Sequence, residues 1–478
     1  MFKRITVLLC LTLCWPYLAA QEDSRYSALP EMGDSATTVL NAETAQQIGQ
    51  AMMRQIQRSG KINDDPLVQE YIQRIGRELA AGGMVGDQHF HFFVINERSI
   101  NAFAMPGGYI GVHAGLILAS QSENELAAVI AHEIAHVTQH HIARSVEKAQ
   151  QMNLPLTAAV IAAILLGASD PQIAQAALAA TIGAGQQMQI DFTRANEKEA
   201  DRVGMQLLAS AGFDPRGMAD FFLRLQEDSR YASNGLPEFL RTHPISSDRL
   251  AEAQERASRY PRSMRTDSIA YQLTRAHLLL QLSENPQQLA AQLADGEQPI
   301  PLGAEGRRYL QGLIHQKQRE FPKARSAFRE LLETAPERIA YIDALGKLEL
   351  QDGQARTAEK LYRQGLDYYP GNLPLSLGLA EVLIADDRHE QARQLLSEYL
   401  SVQGSHPTVL HKLAKAEAML GNHAASHLAL TEYHLLRNEP HSALDQLSIA
   451  RRQQALTEYH AARIEAYSEQ ITRLLEKP

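Results

Sequence analysis

The first half of the chain begins with two stretches in which apolar and polar residues alternate at helical spacing. They cover residues 42–58 and 66–81 and predict two helices. Gly60 and the run 63–65, Asn-Asp-Asp, lie between them, and residues of these types favour a turn. The pattern therefore predicts two helices that are joined by a turn.

Three short apolar runs follow, and their length and composition are typical of strands. They cover residues 90–95, 102–105 and 109–112. Pro106-Gly107-Gly108 lies between the last two runs and predicts a tight turn. We therefore expect a small antiparallel sheet directly after the two helices.

A third helix is predicted after this sheet. Its start is marked by 122–125, Ser-Glu-Asn-Glu, which has the spacing of a capping box. Apolar residues then recur at helical spacing at Leu126, Val129, Ile130, Ile134 and Val137. This pattern predicts a helix that places one apolar face in a core.

An unusually apolar, alanine-rich segment lies further along, in two halves at 154–168 and 173–185. Each half is shorter than the roughly 20 apolar residues that a membrane-spanning helix needs. Two interpretations stay open for 154–185. The halves pack as a helical hairpin within the domain, or they form an interfacial element that dips into lipid or contacts a membrane partner.

From about residue 267 onward the predicted helices follow one another without strands, and the pattern repeats. Residue types recur at an interval of 34 in the pairs Ala324 and Ala358, Phe328 and Tyr362, and Pro336 and Pro370. Ala392 continues the alanine series, and Gly353 and Gly421 lie twice that interval apart. The interval is that of tetratricopeptide repeats. It predicts at least three repeats in a solenoid that binds peptides or partner proteins, with a simple helical scaffold as the alternative.

These elements predict a mainly α-helical α+β protein. We expect a helical domain with a small antiparallel sheet over residues 21–262 and an all-α tetratricopeptide repeat domain over residues 267–478. The linker is expected near 260–263, Tyr-Pro-Arg-Ser. A chain of 478 residues is too long for a single hydrophobic core, which agrees with this division.

The N-terminus has the pattern of a secretory signal. Lys3 and Arg4 precede an apolar run at 5–13, and small residues lead to a cleavage site between Ala20 and Gln21. An uncleaved membrane anchor is the alternative, but the run is too short to span a bilayer. We therefore expect the segment up to this site to be removed during export.

Removal of residues 1–20 changes the composition of the chain. Both cysteines, Cys10 and Cys14, lie in this segment, so the mature chain is expected to form no disulfide even in an oxidising compartment. Loss of the two positive charges of Lys3 and Arg4 takes the formal charge from −9 to −11. Because the chain is acidic and has no basic stripe, we expect no nucleic-acid binding.

The strongest chemical signal is His132-Glu133-Ile134-Ala135-His136, in the third predicted helix. On a helix, this HExxH spacing places two imidazoles on one face, where both can bind one zinc ion. Glu133 lies about 100° round the helix from His132 and still reaches the open position of the metal. The spacing predicts two metal ligands, His132 and His136, and a catalytic carboxylate, Glu133, that accepts a proton from water.

Zinc hydrolases use three protein ligands, so the third ligand must lie elsewhere. The run 196–201, Asn-Glu-Lys-Glu-Ala-Asp, opens a further predicted helix. Glu197 lies closer than Glu199 to the inward apolar stripe of that helix, so we predict Glu197 as the ligand. Asp201, one turn further on, is expected to accept a hydrogen bond from a ligating histidine. The alternative is a solvated acidic helix start.

The HExxH motif, followed 61 residues after His136 by Glu-x-x-x-Asp, resembles the gluzincin family of CAAX-protease and HtpX type. The run 101–108, the run 242–244 with Arg249, and the repeat tail match this family too. The resemblance implies a zincin-type zinc endopeptidase with one zinc ion per chain. It also implies a periplasmic location, with misassembled outer-membrane β-barrel proteins and their assembly machinery as substrates and partners.

His243 is a further chemical candidate, and two roles for it stay open. The proline that follows favours an extended backbone, as in a loop that overhangs a cleft. His243 could donate a hydrogen bond to the oxyanion of the transition state, with Arg249 adding positive charge. Alternatively, its imidazole could occupy the open position of the metal and silence the enzyme at rest. Replacement of His243 by alanine lowers the peptidase rate in the first case and raises it in the second.

The second predicted strand could bind the substrate. An exposed edge strand binds an extended peptide by adding it to the sheet, with little side-chain preference. We expect Asn101, Ala102, Phe103 and Ala104 to form such an edge, and an internal strand is the alternative.

Two functional classes follow from these features. The first is a zinc endopeptidase whose repeats select peptide substrates or dock it on an assembly machine. The second is a chaperone-like adaptor with a structural metal site. Glu133 favours the first class, because a structural site needs no general base and usually closes its fourth position with a protein ligand. A chaperone role can coexist with the peptidase.

Overall fold

A computed structural model describes most of the chain. The described residues are 39–83, 88–151, 186–231, 237–294, 300–454 and 456–476. The predicted secretory signal, 1–20, and the apolar segment 154–185 lie outside these residues. Among the described residues, no helix combines the length and the apolar character that crossing a membrane requires.

The first part of the molecule, called the sheet region here, consists of helices around a small sheet. The helices are α1 (Ala42–Arg58), α2 (Pro66–Gly82), α3 (Ala114–Ala119), α4 (Glu123–Thr138), α5 (His141–Gln151), α6 (Gln186–Ser210), α7 (Arg216–Tyr231), α8 (Glu238–Thr242) and α9 (Ser247–Ser258). Asn41 and Asp65 precede α1 and α2, and each side chain accepts a backbone N–H of the first turn. The turn predicted at 63–65 thus ends in a helix N-cap.

The sheet has three strands, and they do not all run antiparallel. The strands are β1 (His91–Ile95), β2 (Ala102–Met105) and β3 (Tyr109–His113), in the order β1-β3-β2. β2 pairs with β3 in antiparallel fashion, whereas β1 pairs with β3 in parallel. The predicted fold class is confirmed, but the prediction of an antiparallel sheet was wrong for β1. The tight turn at Pro106–Gly108 folds β3 back between the other strands, so that β3 runs in the direction of β1.

Helix α4 runs through the centre of the sheet region and packs against α2, α6, α7 and β2. The five apolar residues predicted for its inward face all belong to the hydrophobic core. The side chain of Ser122 accepts the N–H of Glu125, as an N-cap does. The Glu125 carboxylate, however, accepts the N–H of Gln121 and pairs with Arg224 of α7. The reciprocal bond of the predicted capping box is therefore shifted from Ser122 to Gln121, and a tertiary ion pair with Arg224 is added.

The second part, called the repeat region here, contains helices and connecting loops, and no strand occurs among its described residues. Its helices are α10 (Ile269–Leu282), α11 (Pro286–Ala294), α12 (Ala304–Lys317), α13 (Phe321–Thr334), α14 (Ile339–Gln351), α15 (Ala355–Tyr368), α16 (Leu373–Ala385), α17 (His389–Gln403), α18 (Pro407–Met419), α19 (His423–Leu436), α20 (Pro440–Arg451) and α21 (Glu458–Glu476). The alanines at 324, 358 and 392 are fully buried, and so are Phe328 and Tyr362. The predicted repeat is therefore present as a repeat of buried positions.

The backbone shows the same period more completely than the residue types do. Arg319, Gly353, Asp387 and Gly421 follow one another at intervals of 34, and all have positive φ angles between 57° and 79°. This left-handed conformation ends the first helix of each repeat and favours glycine. Only two of the four positions carry glycine, so the sequence alone reveals half of the series.

Helix α10 joins the two regions, because it contributes to both cores. Tyr271 and Leu278 lie in the core of the sheet region, whereas Leu273 and Ala276 lie in the first core of the repeat region. His277 strengthens the joint, since its ring atoms lie 2.7 Å from Asp65 Oδ2 and 2.8 Å from the Tyr309 hydroxyl. The repeats are therefore held against the sheet region by buried contacts.

Candidate metal centre

Helix α4 presents the HExxH side chains to one side. His132 and Glu133 are 2% and 1% exposed, and the His136 side chain is largely buried. The Nε2 atoms of His132 and His136 lie 2.9 Å apart, as expected for two rings one helical turn apart that face the same point. The structure therefore brings the two predicted ligand histidines together.

Glu197 reaches the same point from α6, which packs along α4. Its Oε2 atom lies 3.4 Å from His132 Nε2, and its Oε1 atom lies 3.4 Å from His136 Nε2. Gly204, two turns further along α6, permits this close approach, since a Cβ atom there would lie 3.2 Å from the backbone nitrogen of His132. The residue predicted as the third ligand thus lies beside the histidine pair.

The spacing of these atoms fits a tetrahedral metal ion. With bonds of about 2.1 Å, as zinc makes to nitrogen and oxygen, neighbouring ligand atoms lie about 3.4 Å apart. The three separations between the two Nε2 atoms and the carboxylate are 2.9, 3.4 and 3.4 Å. With a ring nitrogen of His243, four potential ligand atoms lie within 4.8 Å of one another. Imidazole and carboxylate groups in this arrangement are well suited to a transition metal.

The electrostatics of the site favour a positive charge at its centre. Burial alone would raise the pKa of Glu197, but the three neighbouring histidines hold it well below its ordinary value. Burial also opposes protonation of His132, but Asp201 and Glu197 outweigh this effect and raise its pKa to about 10. Buried carboxylates that stay ionised beside imidazoles are suited to binding a cation.

Asp201 and Arg249 lie directly behind the ligand atoms. Asp201 Oδ1 lies 3.0 Å from His132 Nδ1, the ring nitrogen that points away from the centre, although the geometry there is not that of a hydrogen bond. Arg249, only 2% exposed, donates from Nε and Nη2 to the two oxygens of Asp201 at 2.8 Å. Its Nη1 atom lies 2.7 Å from the Pro244 carbonyl oxygen and 2.9 Å from Glu197 Oε2. The guanidinium thus contacts both Asp201 and the predicted ligand Glu197.

His243 lies over the centre, directly after α8. Its Nδ1 atom is 3.1 Å from Glu197 Oε1 and 3.3 Å from His132 Nε2, and its Nε2 atom is 3.5 Å from Glu133 Oε1. The ring stacks on Phe239 with 4.7 Å between ring centres, and the Phe239 N–H donates to the Ile100 carbonyl at 3.0 Å. The loop that carries His243 is thus tied to the segment that leads into β2.

The predicted substrate strand is at the edge of the sheet. Among the described residues, β3 is the only strand that pairs with β2, so the other side of β2 has no strand partner. Asn101 directly precedes β2 and is 5% exposed, and its Oδ1 atom has no hydrogen-bond partner in the described structure. Glu133 Oε1 is likewise buried and without a hydrogen bond there. Each of these two buried oxygens therefore has a free acceptor position.

The sequence analysis predicts no role for His141 or Arg144 on the outer side of His136, and no outer contact for Glu199. His141 Nδ1 lies 2.8 Å from His136 Nδ1, and Glu199 contacts both His141 and Arg144. Glu199 had been considered only as a weaker candidate for the metal ligand. A histidine five residues after the second histidine of HExxH was the available signal, but its direction depends on how α4 ends. His140, with φ 51°, reverses the chain there.

Comparison with known proteins agrees with this geometry. The model of Peptidase family M48 matches residues 66–257, and a tetratricopeptide repeat model matches residues 349–415. The beta-barrel assembly-enhancing protease of Escherichia coli (strain K12) is 34% identical over 454 residues, which cover 94% of this chain and 92% of that protein. The protein of the same name from Yersinia pestis is 32% identical over 481 residues, which cover 99% and 98%.

A further relative matches a smaller share of the chain. The metalloprotease LoiP of Escherichia coli (strain K12) is 31% identical over 197 residues, which cover 40% of this chain and 73% of that protein. The HExxH helix, the cluster of potential ligands and the long matches to beta-barrel assembly-enhancing proteases agree with one another. The chain therefore belongs to peptidase family M48 and is a metalloendopeptidase that carries tetratricopeptide repeats.

Proposed function

We propose that this chain is a zinc-dependent endopeptidase of the bacterial periplasm that degrades misassembled outer-membrane β-barrel proteins. The observation that carries the proposal is the convergence of His132, His136 and Glu197 beside the buried carboxylate of Glu133. The names of the long relatives support the substrate class, and the signal-like segment 1–20 supports the location. The repeats would bind client proteins or the assembly machinery and assist assembly as a chaperone.

In this proposal, His132 Nε2, His136 Nε2 and the Glu197 carboxylate hold one zinc ion per chain. When bound, zinc polarises the scissile carbonyl and makes water a stronger acid. Glu133 accepts the proton of the attacking water at its unpaired Oε1 atom and then donates it to the leaving amine. Asp201 Oδ1, 3.0 Å from His132 Nδ1, would accept the Nδ1–H of the metal-bound ring, which would keep the Nε2 lone pair directed at the centre.

The substrate lies along β2 as an added strand. Backbone groups of Ala102 and Ala104 on the unpaired side of the strand would hold the peptide by main-chain hydrogen bonds, whereas those of Asn101 and Phe103 face β3. Such binding does not depend strongly on side chains, which suits a protease that acts on many misassembled proteins.

We also propose that His243 occupies the fourth metal position at rest. The distances from its ring nitrogens, 3.1 Å to Glu197 and 3.5 Å to Glu133, support this role, because in the proposal the substrate carbonyl and the attacking water need the same space. We expect His243→Ala to raise the rate of cleavage of a short fluorogenic peptide, because the position is then free. A lower rate would instead support the role of a transition-state donor, and an unchanged rate would contradict both roles.

The test of the peptidase proposal is a comparison of wild type with Glu133→Gln on casein. The substitution keeps the size and polarity of the side chain and removes the general base. We expect a loss of activity of about 10²-fold or more, since general acid–base catalysis contributes on that scale. Zinc content, measured on the same samples, should stay equal. Equal proteolysis by the two proteins would contradict the proposal.

A further inference from the structure

The two ligand histidines turn their Nδ1 atoms away from the metal position, and each Nδ1 atom meets a different kind of partner. His132 Nδ1 lies 3.0 Å from a carboxylate oxygen of Asp201. His136 Nδ1 lies 2.8 Å from Nδ1 of His141, the first residue of α5. A carboxylate, carbonyl or water is the usual outer partner of a ligating histidine. The imidazole behind His136 therefore needs an explanation of its own.

His141 is 3% exposed and is itself tied to a charged pair. Its Nε2 atom lies 3.3 Å from Glu199 Oε2, and Arg144 Nη1 lies 2.9 Å from the same oxygen. Glu199 lies on α6 between the ligand Glu197 and Asp201. Helix α6 thus provides a carboxylate for the outer side of each ligand histidine, directly from Asp201 and through an intervening imidazole from Glu199.

The donor and acceptor roles in the series His136, His141 and Glu199 follow from the metal-binding role of His136. A histidine that binds through Nε2 carries its proton on Nδ1, so His136 donates from Nδ1. The Nδ1 atom of His141 must then accept, which leaves the proton of His141 on Nε2, where it is donated to Glu199. Each residue has one consistent role, and the last acceptor is a carboxylate that Arg144 keeps ionised.

We propose that His141 and Glu199 are positioning residues that fix the tautomer and the ring orientation of His136 for metal binding. The proposal rests on the zinc site described above and adds to it an outer relay, His136 to His141 to Glu199. If His141 is removed, the Nδ1–H of His136 loses its acceptor. The loss of such an outer partner lowers metal affinity by about 10- to 100-fold in comparable sites.

The test measures zinc affinity by competition with a chromogenic chelator, on the full mature chain. His141→Phe removes the acceptor while filling the space, and His141→Gln keeps an acceptor and a donor in the same place. Glu199→Gln, at a partly exposed position, keeps the size of the side chain and removes the negative charge of the carboxylate that ends the relay. His140→Asn is the matched control, since it lies next to the relay and asparagine tolerates the left-handed backbone found there. Circular dichroism verifies that each variant is folded.

We expect His141→Phe to lose zinc affinity by about 10- to 100-fold, Glu199→Gln to lose less, and His141→Gln to recover most of the loss. The absorption spectrum of the cobalt-substituted His141→Phe protein should also differ from that of wild type, because the His136 ring is no longer held. Wild-type affinity in folded Glu199→Gln and His141→Phe would overturn the relay alone. Wild-type protein that binds no zinc would overturn the proposed function as well, so the two failures are distinguishable.

Discussion

The buried metal centre of the sheet region and the exposed ion pairs of the repeat region hold their charged side chains in different ways. In the sheet region, charged and titratable side chains share one buried cluster whose members are at most 6% exposed, namely His132, Glu133, Glu197, Asp201 and Arg249. In the repeat region, ion pairs such as Arg388 with Glu359 lie along the helices, with side chains 29% and 18% exposed. A charge in the cluster is compensated only by its neighbours, whereas water can replace a lost partner in an exposed pair such as Arg388 with Glu359.

The two regions also differ in how far along the chain their contacts reach. The metal centre combines α4, α6 and the loop after α8, so His132, Glu197 and His243 meet across gaps of more than forty residues. In the repeats, each helix packs mainly against the next. A single substitution at the centre should therefore disturb several elements, whereas one in the repeats should stay local.

The largest expected effect comes from Arg249→Met. The side chain keeps its length, but Asp201 and Glu197 lose their cation in a buried place. Removal of one partner from a buried ion pair costs about 3–5 kcal/mol. We expect this loss in the free energy of unfolding, measured with urea at pH 7.5.

Arg388→Met in the repeats is the matched control. It breaks a bidentate pair with Glu359 that water reaches, and such pairs contribute about 0.2–1 kcal/mol. A similar loss of stability for the two variants would contradict the contrast between the buried centre and the exposed pair.

A smaller effect is expected at the joint, where Asp65 contacts His277. Burial would raise the pKa of Asp65, but His277 outweighs it and lowers this pKa far below the ordinary value. The carboxylate therefore stabilises the folded state fully above about pH 4, the ordinary pKa of aspartate, and this contribution is lost as the pH falls further. Asp65→Asn keeps an N-cap for α2 but loses the charge.

We expect Asp65→Asn to lose about 1.5–3 kcal/mol of unfolding free energy at pH 7, as for a hydrogen bond to a charged group. The difference from wild type should shrink at pH 3, because the wild-type carboxylate then contributes less. Urea unfolding at the two pH values measures both quantities. A difference that is independent of pH would show that the charge of Asp65 does not stabilise the joint.

The sequence predicts those features that depend on local periodicity. The apolar face of α4 and the buried alanines of the repeats follow from spacing along single helices, and both are found in the structure. Glu197 and Asp201 could be placed on the inner side of α6 for the same reason. The parallel pairing of β1 with β3 could not be predicted from periodicity. It depends on whether β2 or β3 lies beside β1 in the sheet, which is a tertiary property.

The parts of the site that the sequence did not reveal depend on tertiary contacts. His141 meets His136 only because α4 ends at Thr138 and His140 adopts a left-handed backbone. The sequence predicts that Arg249 faces the reacting groups, but its guanidinium contacts Asp201 and Glu197 instead. This direction is set only by the packing of α9 against α6. Motif spacing identifies the ligands, but it does not identify the residues that hold them.

The most direct test of the central claim is the metal content of the purified mature chain, measured by mass spectrometry. The account predicts one zinc ion per folded chain in wild type and in Glu255→Gln, a control at an exposed position of α9. It predicts that Glu197→Gln retains little zinc after dialysis while staying folded. A folded wild-type chain without stoichiometric metal, or a Glu197→Gln variant with a full complement of zinc, would contradict it.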